Sequence, residues 1–159
     1  MKGEAMKART YLEVIKKQDA KIDARIDEIA TLDAIATKTT SVMGGERVKA
    51  STSQEKMADT VGKIVDLKAE LNAEIDRFID YRNEAMKLID EACDADCHKL
   101  LHKRYIGAYD TEKGRIIFKT WEQIAVEMGF TYQWVSDGLH KRALSQLQKI
   151  LDERGEVDG

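Results

Sequence analysis

A chain of 159 residues with no proline, 35% charged residues and 6% aromatic residues has the composition of one helical domain or two small ones, and not that of a sheet protein. No apolar run approaches a membrane span, and the stretch MKGEAMKARTYLEVI lacks the apolar centre of a secretory signal; two cysteines without an export signal fit a reducing cytoplasm. The net charge of −3 is unevenly spread: residues 1–98 carry −4, residues 99–149 carry +4 and residues 150–159 carry −3. Local positive potential of this kind is what attraction to phosphate requires.

Residues 8–38 predict a long helix. Leu12, Ile15, Ile22, Ile26 and Ile29 follow 3,4 spacing if Asp19 takes the place between 15 and 22, a heptad-like seam flanked by charge. The charged flanks read as ordinary solvated helix faces. TTSVMGGERVKASTS (39–53) breaks the period with Gly44-Gly45 and clustered Ser/Thr, and predicts a loop. A second long helix is expected after Thr52, with Glu55 completing a capping box. Its seam runs through Met57, Val61, Ile64, Leu67, Leu71, Ile75, Phe78, Arg82, Ala85 and Ile89. Two seams this narrow point to an antiparallel hairpin that is covered further by self-association.

A break is expected at DEACDADC, with Asp94 or Asp96 capping a third helix that carries Leu100, Leu101, Tyr105 and Ile106. GAYDTEKGRIIFK (107–119) reads as a loop, in which Ile116-Ile117-Phe118 is either a short extended piece or a loop packed on the domain. The stretch that follows is the most informative. Trp121, Ile124, Ala125 and Met128 form one apolar stripe, preceded by Thr120 with Gln123 three residues on, a capping-box pattern. Gly129 supplies a left-handed residue where that helix must stop. Thr131 is a second N-cap, after which Val135, Leu139, Leu144, Leu147 and Ile150 resume the period. Ile124, Met128, Phe130 and Val135 are the expected wedge between the two helices, and small Ala125 lets them approach. Two helices joined by a three-residue turn containing glycine outline a helix-turn-helix, the plain alternative being an αα-corner. The final DERGEVDG is expected to fray.

Cys93, Cys97, His98 and His102 raise the question of zinc. On one continuous helix the cysteine pair and the histidine pair point to different sides, so four ligands cannot converge, and the spacing matches no common zinc module. Metal and cofactor are therefore expected to be absent. There is no glycine-rich phosphate loop, no G-x-S-x-G and no H-E-x-x-H, so no enzyme is expected.

The helix after Gly129 offers contact chemistry for double-stranded DNA instead. A recognition helix reads base edges mainly with its N-terminal residues. Thr131 and Tyr132 open it, Gln133 has the donor–acceptor pair that suits adenine, and Ser136 suits several bases. Tyr132 suits phosphate or a thymine methyl, and His140, Lys141 and Arg142 add positive charge at the backbone. Asp137 repels phosphate unless it accepts from cytosine or pairs with a base such as Lys141. Trp134 is expected in the core.

LLHKRY (100–105) and TWEQIAVEMGFTYQWVSDGLHKRALSQL (120–147) resemble region four of bacterial RNA polymerase sigma factors. They are more similar still to phage-encoded regulators with a sigma-like domain, the ArpU/RinA-type late-gene activator group and its relatives. The resemblance is carried by Arg104-Tyr105, Trp121 to Gly129, Trp134-Val135 and Leu139 to Leu144, over about fifty residues. Loop 107–119 is longer than those families use, and Gly138 stands where they keep a larger residue.

The expectation is an all-α protein: an oligomerising helical hairpin (1–92), a three-helix sigma region four-like helix-turn-helix (93–152) and a frayed tail (153–159). The resemblance implies a phage or prophage regulator in the cytoplasm of a bacterial host, most simply a late-gene activator that binds DNA as a homodimer and meets RNA polymerase. The alternatives are a sigma-like adaptor that binds polymerase without reading DNA, and a small DNA-packaging (terminase) subunit.

Overall fold

The computed structural model describes residues 6–43 and 50–158, with side chains at 6–38 and 54–155. Helix α1 spans Ala8–Met43 and α2 spans Ala50–Ala92. Both reach into the stretch 39–53 that was expected to be a loop. Ser and Thr are only modest helix formers, but adding a residue to a helix already formed costs far less than starting one. Thr52 therefore lies inside α2 and not at its start; its side chain and residues 44–49, with Gly44-Gly45, fall outside the described residues.

Contacts divide the chain into two units, residues 20–77 and residues 1–19 with 78–159. Within 20–77, Arg25 pairs with Glu74 and Glu70 at 3.2 Å each, and Lys21 with Glu74 at 3.8 Å. These pairings step along the two helices in opposite chain directions. Ile22, Ile29 and Ile64 are buried, and Glu74 is buried with them because the two cations partner its carboxylate. Ile26, Val61 and Val65 remain about half exposed.

In the other unit the start of α1 joins the core of the C-terminal helices. Ala8, Leu12 and Ile15 are buried together with Ala85, Leu88, Ile89, Leu100, Leu101, Ile124, Val135, Leu139 and Leu147. The Tyr81 hydroxyl donates to the Tyr11 carbonyl at 2.7 Å, and the Ala8 N–H donates to Gln148 Oε1 at 2.7 Å. Asp94 caps helix α3, Ala95–Leu101, accepting from the Cys97 N–H at 3.0 Å. The helix continues as a π-helical turn, His102–Ile106, closed by the Gly107 N–H donating to the His102 carbonyl at 2.9 Å. Arg82, at an apolar position of its seam, donates to the Ile106 and Gly107 carbonyls at 3.3 and 2.9 Å. Its charge thus satisfies carbonyls that the end of the helix leaves open.

Residues 107–119 are not a plain loop. Strands β1 (Ala108–Asp110) and β2 (Arg115–Ile117) pair antiparallel with Tyr109 opposite Ile116, adding a small hairpin to an otherwise helical chain. Gly107 makes this possible: at φ 73° it turns the chain, and a Cβ there would stand 2.7 Å from Ile116 Cγ2 and 3.0 Å from the Ile117 carbonyl oxygen. Helix α4 is Trp121–Met128. A π-helical segment, Trp134–Leu139, leads into α5, His140–Asp158. Helix α5 thus runs through Asp158. Among the described residues no helix is long and apolar enough to cross a membrane.

Candidate nucleic-acid interface

Local signals place the turn. The Thr120 hydroxyl accepts from the Gln123 N–H at 3.2 Å and Gln123 Oε1 accepts from the Thr120 N–H at 3.0 Å, a complete capping box at the start of α4. Gly129 ends α4 in the left-handed conformation, φ 72° and ψ 29°. The Thr131 hydroxyl then accepts from the Trp134 N–H at 3.2 Å and opens the next helix, so the sequence names all three signals of the turn. Ile124 and Val135 are fully buried and Ala125 nearly so, which makes them the wedge between the helices. Met128 is half-buried and Phe130 is 37% exposed, so these two contribute less than expected.

Tyr105 and Trp121 meet at one histidine. His140 is buried, its Nε2 2.6 Å from the Tyr105 hydroxyl, with the Trp121 ring centroid 4.6 Å from its own. The Arg104 guanidinium lies 4.5 Å over the Trp121 ring and donates to the Lys119 carbonyl at 3.1 Å. Burial pushes the His140 pKa down to about 4, the Arg9 and Arg104 charges push the same way, and Asp137 opposes them. His140 was a candidate for DNA contact, but the structure makes it a neutral part of the core that holds α4 against the preceding helix. Tyr105, Trp121 and His140 thus pack against one another, with Arg104 over the indole of Trp121.

The other candidate contact residues lie on the helix after Thr131. Tyr132 and Gln133 are exposed and Ser136 half-buried. Trp134 is 43% exposed, where the core was expected. Asp137 and Lys141, both largely exposed, pair at 2.8 Å, which resolves the like-charge problem that Asp137 posed. The hydrogen bond to that carboxylate, helped by its charge, raises the Lys141 pKa. Arg142 pairs at 2.7 Å with Asp94, whose carboxyl is held at about 2, first by the Gln146 amide and then by the Cys97 N–H. Lys119 and Lys103 both pair with Glu127, whose pKa is lowered mainly by its hydrogen bond from Lys119. Lys103, Lys119, Lys141 and Arg142 are thus ion-paired within the molecule. Among the described cations of residues 99–149, Lys99, Lys113, Arg115 and Lys149 are exposed without an ion pair.

The cysteines and histidines near the break are occupied differently. Cys97 is buried and Cys93 half-buried, and burial raises both thiols, to about 12 and about 11. His98 Nε2 lies 2.5 Å from Asp90 Oδ1. Burial lowers the His102 pKa, with Arg82 adding to the effect. Among the described residues no group of three or more His, Cys, Asp or Glu side chains is placed to hold a metal ion. No protein-family model, no curated protein and no solved structure matches this chain.

Proposed function

We propose that this chain is a sequence-specific DNA-binding regulator of the phage sigma-like kind, a helical hairpin joined to a helix-turn-helix that acts as a dimer and by placement, without chemistry of its own. One observation carries the reading. A capped helix ends at a left-handed glycine, and a second capped helix begins two residues later with Tyr132, Gln133 and Ser136 in its first turns, away from the buried Val135–Leu139 side. That is where a recognition helix carries its base contacts. The resemblance of residues 100–147 to sigma region four and the +4 charge of residues 99–149 support it.

The test begins with duplexes selected from a random pool by the purified protein. Gln133→Ala is expected to weaken the selected site by about 1–3 kcal/mol and random duplex much less, because a base contact carries sequence information. Lys141→Ala is expected to weaken both about equally and to lower the salt slope by roughly one ion, as a phosphate contact does. No measurable duplex affinity even at low salt would sink the reading. One observation favours a second reading, a protein-binding adaptor. Val126 on α4 is 82% exposed beside a shallow depression of about 360 Å³ lined by Lys119, Glu122, Gln123 and Glu127. Under that reading Val126→Asp abolishes association with RNA polymerase, while Gln133→Ala changes nothing.

A further inference from the structure

Trp134 is the large side chain in the first turn of the candidate recognition helix that neither the core nor the polar contact set absorbs. Its backbone N–H donates to the Thr131 hydroxyl at 3.2 Å, which fixes the residue three positions after the cap, where side chains reach base edges. Its ring lies along the helix over Gly138. A Cβ at 138 would stand 2.3 Å from Trp134 Cε3 and 2.4 Å from Cζ3, so only glycine leaves room for the indole there. The helix is π-helical over Trp134–Leu139, a departure from α geometry that recurs at functional sites. The departure of Gly138 from the sigma-like pattern thus has a use: it seats an indole in a set orientation with 43% of the residue still open to solvent.

We propose that Trp134 is a specificity-determining residue that reads a thymine methyl group in the major groove, an inference that rests on the DNA-binding reading above. The chemistry selects this partner. An indole has one donor, Nε1–H, and is otherwise apolar. The only methyl group on base edges in the major groove is the C5 methyl of thymine. One side of the ring is spent on Gly138, so the indole lies against the helix and does not stand out as a wedge between base pairs. A fixed side chain also loses little freedom on binding.

The test replaces thymines of the selected duplex one at a time by deoxyuridine, which removes the methyl and leaves pairing intact. The wild-type protein is expected to lose affinity about fourfold at one position of the half-site, the equivalent of about 0.8 kcal/mol for one buried methyl-sized group. Trp134→Ala should bind the thymine and deoxyuridine duplexes equally at that position. Gly138→Ala, which keeps the indole but denies it its seat, should lose the same discrimination with helical content unchanged by circular dichroism. Tyr132→Ala should retain it. If the wild type binds the selected duplex but no thymine is sensitive, or the sensitivity survives in Trp134→Ala, the assignment is overturned while the DNA-binding reading stands. If the wild type binds no duplex at any salt, both fall.

Discussion

His140 gives the sharpest check on the packing of the C-terminal unit. Its ring is buried between Tyr105 and Trp121, and its pKa is pushed down to about 4, against 6.5 for an ordinary histidine. Between those values the unfolded chain takes up a proton that the folded chain refuses. The stabilisation from a neutral His140 is therefore complete above about pH 6.5 and is lost as pH falls toward 4. At 1.36 kcal/mol per pKa unit the full effect is about 3 kcal/mol, and the part lost between pH 7 and pH 5 is about 2 kcal/mol. For a chain of this size that is roughly 4–8 °C in Tm. His140→Gln keeps a group able to bond the Tyr105 hydroxyl but does not titrate. Thermal unfolding at pH 7 and pH 5 should show the drop in the wild type and most of it gone in the variant. His98 and His102 are present in both proteins and cancel in the comparison. Equal pH sensitivity of wild type and His140→Gln would falsify the buried, neutral placement of this ring.

Gly107→Ala should destabilise the protein by about 1–3 kcal/mol in urea unfolding, because φ is 73° and the new methyl meets Ile116 and the Ile117 carbonyl; a variant as stable as the wild type would show that the hairpin does not close there. The 159-residue chain should sediment as a dimer or larger at tens of micromolar, roughly the range of modest interfaces, because Val61 and Val65 leave apolar surface open one turn apart on α2. Replacing both by lysine should return it to monomer, and a wild-type chain that stays monomeric at those concentrations would remove the oligomerisation argument.

What the sequence determined by itself is local. Thr120 with Gln123, Gly129 and Thr131 could be assigned, and the cap at the third helix narrowed to Asp94 or Asp96, because each cap or stop is a hydrogen bond or a φ value set within four residues, and the residue types that satisfy it are few. The two long helices were legible for the same reason, apart from their ends, where Ser and Thr promised a break that helix propagation overran. Only tertiary structure decided which side chains turn inward. His140 reads as a surface cation until Tyr105, 35 residues away, is set against its ring. Trp134 reads as core until Gly138 and the π-helical turn seat it on the outer side. Arg82 reads as a flaw in an apolar seam until the Ile106 and Gly107 carbonyls come within reach of its guanidinium. The start of α1 joins the C-terminal core, a placement that no period within residues 8–19 could announce. In each case the free energy depends on whether water is excluded from the group, and burial is a property of neighbours that are distant along the chain.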